Sequence, residues 1–165
     1  MSIDSMDYFG RMARYNRWMN TRLMETCSQL SDAERKQPRG APFGSIHGLW
    51  NHLLLCDRLW LARFYRTPLP YKSLNEEVCS EWDELIVERQ RTDDAIDAYL
   101  ASLTQEKLPS TLHATAISDG RQFEISLWIA VQHLFNHQTH HRGQITALME
   151  QAGLDCGVTD IAAMP

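Results

Sequence analysis

Four histidines lie within nine residues near the C-terminal end of the sequence. They are His133, His137, His140 and His141, and imidazole is a common ligand of divalent metals. On a helix, His137 and His141 are one turn apart on the same face, so both rings can be directed at one point. Zinc, nickel and iron all accept imidazole nitrogen. The spacing therefore predicts two ligands of one divalent metal ion per chain, and it leaves the identity of the metal open.

A third ligand must come from another helix, and one apolar segment offers two histidines. His52 is followed by three leucines, as in a buried mid-helix position, whereas His47 lies in the first turn of the same segment, close to solvent. His52 is therefore the preferred ligand. Three histidines leave a position for water or substrate, as in catalytic metal sites. A fourth protein ligand, such as His133 or His140, would instead indicate a closed site that stores or senses the metal.

Several polar side chains near these histidines are candidates for contacts to the ligands or to a substrate. They are Asn136, His140, Arg142 and Gln144. Arg142 has a second interpretation, as a residue that faces solvent or an interface. His47, His133 and His140 individually fit structural roles or the orientation of a ligating ring. No motif indicates a Ser-His-Asp set, so no catalytic side chain is assigned.

The histidines also have a purely structural interpretation, as polar groups in the core or interface of a dimer. A single pair of histidines four residues apart arises often by chance. Burying four imidazoles beside apolar residues would cost desolvation free energy for each ring unless the rings bind a common partner. This cost favours the metal site.

Composition limits the class of protein. With 165 residues, 44% of them hydrophobic and 22% charged, the chain fits one globular domain spanning residues 1–165. The 16 basic and 21 acidic residues form no basic surface with interleaved aromatics, so nucleic-acid binding is not expected. The four cysteines show neither CxxC nor zinc-finger spacing. The first residues do not resemble a secretory signal and no stretch is long enough for a membrane span, so we expect a cytoplasmic protein with reduced thiols.

The hydrophobic periodicity predicts four long helices, over residues 4–30, 45–65, 74–103 and 126–152. A turn at residues 118–120, between two short segments in which apolar and polar residues alternate, predicts a hairpin just before the last helix. The expected fold is therefore all-α, a four-helix bundle with a small β-hairpin inserted before the fourth helix. The order of the helices in the bundle is left open.

Three motifs, in order along the chain, resemble the DinB family. They are YNRWMN at residues 15–20, NH at 51–52 followed by DRLW at 57–60, and HLFNHQTHHRGQ at 133–144. The resemblance implies a four-helix bundle, often homodimeric, with a divalent metal held by His52, His137 and His141. Wider relatives of the family include thiol S-transferases that use low-molecular-weight thiols, and a mycothiol-dependent maleylpyruvate isomerase.

These relatives imply a metal-dependent enzyme that activates a thiol or water for a small-molecule substrate, with thiol S-transfer as the favoured reaction. The alternatives are a metal-dependent hydrolase and a non-catalytic metal-binding stress-response protein.

Overall fold

The structure is a computed structural model that describes residues 4–165. The described residues form five α-helices, one antiparallel hairpin that packs on α3 and α5, and two 3-10 turns. In chain order they are α1 (Ser5–Cys27), α2 (Asp32–Lys36), α3 (Ile46–Tyr65), α4 (Trp82–Ser102), β1 (Thr111–Thr115), β2 (Gln122–Ser126) and α5 (Leu127–Gln151), with the turns at Gln105–Lys107 and Ile161–Ala163. The four long helices pack in the cyclic order α1, α4, α3, α5. The predicted fold class, an all-α bundle with a hairpin before its fourth long helix, is confirmed.

Two apolar clusters fill the two ends of the bundle and reveal the directions of the helices. One cluster joins Leu23 near the end of α1 to Leu49 near the start of α3. The other joins Phe9 near the start of α1 to Leu61 near the end of α3 and Leu100 near the end of α4. Helices α3 and α4 therefore run in the same direction, opposite to α1 and α5.

A layer of buried polar side chains lies between the two clusters and receives residues from all four long helices. Arg89 of α4 pairs with Asp57 of α3 at 2.7 Å and with Asp93 of its own helix at 2.8 Å. Asp57 also accepts a hydrogen bond from Gln138 of α5. Asn20 of α1 donates to Asp93 at 3.1 Å. The Arg89, Asp57 and Asp93 charges therefore compensate one another in the core, although Arg89 Nε has no hydrogen-bond partner within residues 4–165.

The turn into α3 brings an aromatic ring onto the histidine side of that helix. Phe43 and Gly44 both have positive φ, 59° and 78°, and the Ser45 side chain accepts from the Gly48 N–H at 3.0 Å as an N-cap. A Cβ at Gly48 would lie 2.0 Å from the Phe43 carbonyl oxygen. Only glycine at position 48 therefore permits this approach, which stacks the Phe43 ring on His52 with centroids 3.6 Å apart.

The predicted start of the third long helix at residue 74 is wrong, because α4 begins at Trp82. The Asn51 side chain of α3 accepts from the N–H groups of Val78 and Cys79, both at 2.8 Å. These bonds attach Val78 and Cys79 to α3, and residues 74–81 form a turn and bends rather than a helix. The Glu76 side chain accepts from the backbone N–H groups of Lys72 and Ser73.

The end of the first helix also differs from the prediction. Helix α1 ends at Cys27 rather than at residue 30. The hydroxyl of Ser28, the next residue, donates a hydrogen bond to the Met24 carbonyl oxygen at 2.9 Å. The unpredicted helix α2 follows, and its start is fixed by a capping box between Ser31 and Glu34. Within residues 4–165, none of the helices is long and apolar enough to cross a membrane.

Candidate metal centre

Two helices each present a pair of donor side chains spaced four residues apart, and the pairs face each other. Helix α3 contributes His52 and Cys56, and helix α5 contributes His137 and His141. Donor atoms of His52, Cys56 and His137 all lie within 4.8 Å of one another. The Nε2 atoms of His137 and His141 are 3.1 Å apart, and the centroids of the His52 and His141 rings are 4.6 Å apart. His52, Cys56 and His137 therefore share one point between the helices, and His141 lies beside this group of three, in contact with His137.

The spacing of these donors fits a divalent metal. In a tetrahedral zinc site, metal–ligand lengths of about 2.05 Å to nitrogen and about 2.3 Å to sulfur place two nitrogens roughly 3.3 Å apart and sulfur roughly 3.6 Å from nitrogen. The His137 and His141 nitrogens are 3.1 Å apart, and Cys56 Sγ is 3.5 Å from His52 Nε2. Imidazole and thiol together suit zinc and other borderline or soft metals.

Hydrogen bonds on the far side of two rings direct their Nε2 atoms toward this point. His52 Nδ1 lies 3.1 Å from the Leu74 carbonyl oxygen, and His141 Nδ1 lies 2.8 Å from Gln144 Oε1. In both contacts Nδ1 is the donor to an oxygen acceptor, which leaves the Nε2 lone pair for a metal. His137 Nδ1 is buried and has no hydrogen-bond partner within residues 4–165.

Burial keeps the histidines of this centre neutral at pH 7, which is the form that binds metal. Burial is the largest cause of each shift: it lowers the pKa of His52 to about 4, and it lowers the pKa of His137 to about 3 with help from the neighbouring His141. The pKa of His141 is also lowered by burial. In contrast, burial raises the pKa of the Cys56 thiol to about 12. A metal that binds Cys56 must therefore displace its proton.

Cys56 is the one donor that sequence reasoning did not identify. The cysteines have no CxxC spacing, but Cys56 follows His52 by four residues, the same helical spacing as that of His137 and His141. That spacing was the available signal. The group of converging donor atoms contains His52 and His137 but not His141, the third predicted ligand, and neither His133 nor His140, the candidates for a fourth, belongs to it.

The remaining histidines of the sequence prediction lie around the centre. His47 is buried in the first turn of α3, where its Nε2 is 3.0 Å from the Cys79 carbonyl oxygen. His133 is next to the centre, with its ring centroid 5.7 Å from that of His137. His140 is exposed, and its Nε2 lies 3.3 Å from Gln144 Nε2.

The other polar candidates divide between the centre and the rest of the bundle. Gln144 holds the His141 ring, as described above, and Asn136 is exposed. Arg142 is buried in the polar layer rather than exposed, and its guanidinium donates to Asn16 and, at 3.2 Å, to Asn20. Burial lowers the pKa of Arg142 to about 10. Its hydrogen bonds belong to the core of the bundle, so the solvent-facing interpretation is wrong, and a contact to a ligand stays a prediction.

Two cavities open beside the centre, one on each side of Leu74. The loop-side cavity has a volume of about 420 Å³, and its wall includes Phe43, His52 and Glu77. The hairpin-side cavity has a volume of about 230 Å³ and reaches the centre directly. Its lining includes Cys56, Trp60, Arg63, Phe123, His133 and His137.

Comparisons with known proteins agree with this architecture. The sequence model of the DinB family matches residues 2–165. The chain is 28% identical over 159 residues to Protein DinB of Bacillus subtilis (strain 168), and the match covers 93% of this chain and 91% of that protein. The crystal structure of a DinB-like protein from Bacillus cereus ATCC 10987 superposes with a TM-score of 0.65 at 22% identity, and covers 86% of this chain and 91% of that one. The last comparison supports the fold.

Proposed function

The chain belongs to the DinB family, and on that basis we propose that it is a divalent-metal-dependent enzyme that activates a small thiol, or water, for attack on an electrophile. One observation carries the proposal: three neutral imidazoles from two helices converge next to an open cavity. Thiol transfer is the preferred reaction because of the thiol-using relatives that the sequence motifs imply.

In this proposal some residues bind the metal, and others position those ligands. His52, His137 and His141 would hold it, and the bonds to the Leu74 carbonyl and the Gln144 side chain keep two of these rings in position. When bound, the metal supplies a Lewis acid that lowers the pKa of a coordinated thiol or water. Phe43 stacks on one face of the His52 ring and restricts its orientation.

In the proposed transfer, the thiol gives up its proton to solvent and its sulfur forms a bond to an electrophilic carbon. The leaving group departs with the electron pair of the bond that breaks. Protein side chains position the reactants, and no protein nucleophile is needed.

A second candidate function is favoured by Cys56. If its sulfur also binds the metal, then four protein ligands close the coordination sphere, which is typical of a structural, storage or sensing site. The 3.5 Å separation between Cys56 Sγ and His52 Nε2 is compatible with this arrangement. The decisive question is whether the metal accepts a ligand from outside the protein.

Cobalt substitution answers that question, because sulfur ligation of cobalt produces intense near-ultraviolet charge-transfer absorption. The titration uses glutathione, bacillithiol and mycothiol, and it is made in a Cys56→Ser background so that the protein supplies no sulfur signal. We expect a new band with at least one thiol, and no band in the double variant that also carries His137→Ala. Transfer to an electrophilic acceptor is then assayed with the natural metal.

Two results would replace the proposal. Metal-dependent hydrolysis of a simple ester or amide without any thiol band would favour a hydrolase. A sulfur band in the wild-type protein that no added thiol changes, together with no turnover, would favour the closed, non-catalytic site.

A further inference from the structure

Arg63 is the only arginine or lysine in the lining of the hairpin-side cavity. Its side chain extends from the last turn of α3, and its guanidinium lies over the Trp60 ring at 4.7 Å and near the Phe123 ring at 5.9 Å. One nitrogen, Nη2, donates to the Thr115 carbonyl oxygen of β1 at 3.0 Å. Two aromatic rings and the hairpin backbone therefore hold this cation in one place.

The guanidinium has unused hydrogen-bonding capacity. Its Nε is buried without an acceptor, and no carboxylate within residues 4–165 lies at ion-pair distance from it. The neighbouring Arg58 and the core Arg89, by comparison, pair with Glu88 and with two aspartates. A partly buried cation without an anion is unfavourable, and burial lowers the pKa of Arg63 accordingly. An anion that entered the cavity would supply the missing partner.

We propose that Arg63 determines substrate specificity by binding the carboxylate of a small substrate in the hairpin-side cavity, with the reactive end of that substrate directed toward Cys56 and His137. The inference deepens the proposed function and rests on it. A guanidinium forms short, charge-assisted and often bidentate bonds with a carboxylate. The cavity volume of about 230 Å³ is below the range of roughly 300–1,000 Å³ for drug-sized ligands, so the substrate class is a small carboxylic acid.

The test compares three small molecules by isothermal titration calorimetry with zinc-loaded protein. The probes are 3-mercaptopropionate, its uncharged analogue 3-mercaptopropan-1-ol, and propionate, which has no thiol. The variants are Arg63→Gln, which removes the cation but keeps a polar side chain, and Arg66→Gln, a control that removes an exposed arginine three residues away and outside this cavity.

We expect the wild-type protein to bind the thiol acid at least about tenfold more tightly than the thiol alcohol, because a hydrogen bond to a charged group is typically worth a factor of that size or more. Arg63→Gln should reduce this ratio to about one while it leaves the metal content and the affinity for the alcohol unchanged. Arg66→Gln should retain the wild-type ratio. Equal wild-type affinities for the two thiols, or a ratio that survives in Arg63→Gln, would overturn the inference.

The propionate titration separates this inference from the proposed function. If the thiol alcohol does not bind, and propionate and 3-mercaptopropionate bind with equal affinity and only when Arg63 is present, the carboxylate site stands and thiol activation fails. If propionate does not bind either, both fail. Should Arg63→Gln not fold, propionate is added to wild-type protein labelled with ¹⁵N, and a shift of the Arg63 Nε–H resonance supports the site whereas an unchanged resonance contradicts it.

Discussion

Acidification of the metal-free protein should reveal how strongly burial disfavours a charge on His52. The side chain is 4% exposed, and burial lowers its pKa from 6.5 to about 4. Between these values the unfolded chain binds a proton at His52 that the folded chain does not. The free energy of unfolding is therefore fully retained above pH 6.5 and decreases as the pH falls toward 4.

The size of this effect follows from the two pKa values. Proton linkage to a single group with a pKa of 6.5 when unfolded and about 4 when folded lowers the free energy of unfolding by about 2.5 kcal/mol between pH 7.5 and pH 4.5. Asp57 acts in the opposite direction, because burial raises its pKa to about 6 although Arg89 opposes the shift. The comparison of wild type with His52→Gln cancels the contribution of Asp57.

The assay is urea denaturation of chelator-treated protein at pH 7.5, 6.0 and 4.5. Wild type should lose about 2.5 kcal/mol more than His52→Gln over this interval. The control, His113→Gln, removes a hairpin histidine whose side chain is 70% exposed and should follow the wild-type curve. Parallel curves for wild type and His52→Gln, within about 0.5 kcal/mol, would refute the assignment of a strongly depressed pKa to this side chain.

Three further results are expected. Elemental analysis should find one metal ion per chain in wild type and in the exposed His140→Ala variant but none in His137→Ala; loss in His140→Ala and retention in His137→Ala would place the ligands elsewhere on α5. Cobalt-loaded wild type should show a sulfur charge-transfer band that disappears in Cys56→Ser if this thiol is a fourth ligand, and an unchanged spectrum would remove it from the coordination sphere. Arg89→Met should lower the free energy of unfolding by about 3–5 kcal/mol in urea, because it leaves two buried aspartates without their cation; a loss below about 1 kcal/mol would show that these carboxylates are already protonated or hydrated.

The sequence predicted the bundle and most of its histidine cluster because both depend on local periodicity. The spacing of His137 and His141 on a helix determines which face they share, and the apolar neighbours of His52 indicate burial. The structure brings these three rings together. Their assignment as ligands stays a prediction, which the elemental analysis tests.

The features that sequence reasoning missed depend on tertiary contacts. Residues 74–81 carry helix-compatible charges, but the Asn51 side chain accepts hydrogen bonds from two of their N–H groups, and the segment is not helical. Arg142 looked like a site residue because of its position beside His141, yet a helix turns about 100° per residue and directs it into the core. Cys56 was recognisable in principle, since its spacing from His52 is a helical one.

The buried hydrogen bond between Asp57 and Gln138 links folding to metal occupancy. Asp57 directly follows Cys56 on α3, and Gln138 directly follows His137 on α5. A rotation of either helix by one residue would break this bond and turn the donors away from each other, so a chain with formed but misaligned helices has no metal centre. A metal held at this centre would bind the native state alone and would stabilise it by mass action, by about 2.7 kcal/mol when its free concentration is a hundred times the Kd. In a variant that keeps every donor side chain, the metal content would therefore measure the fraction of chains that have reached the native helix alignment.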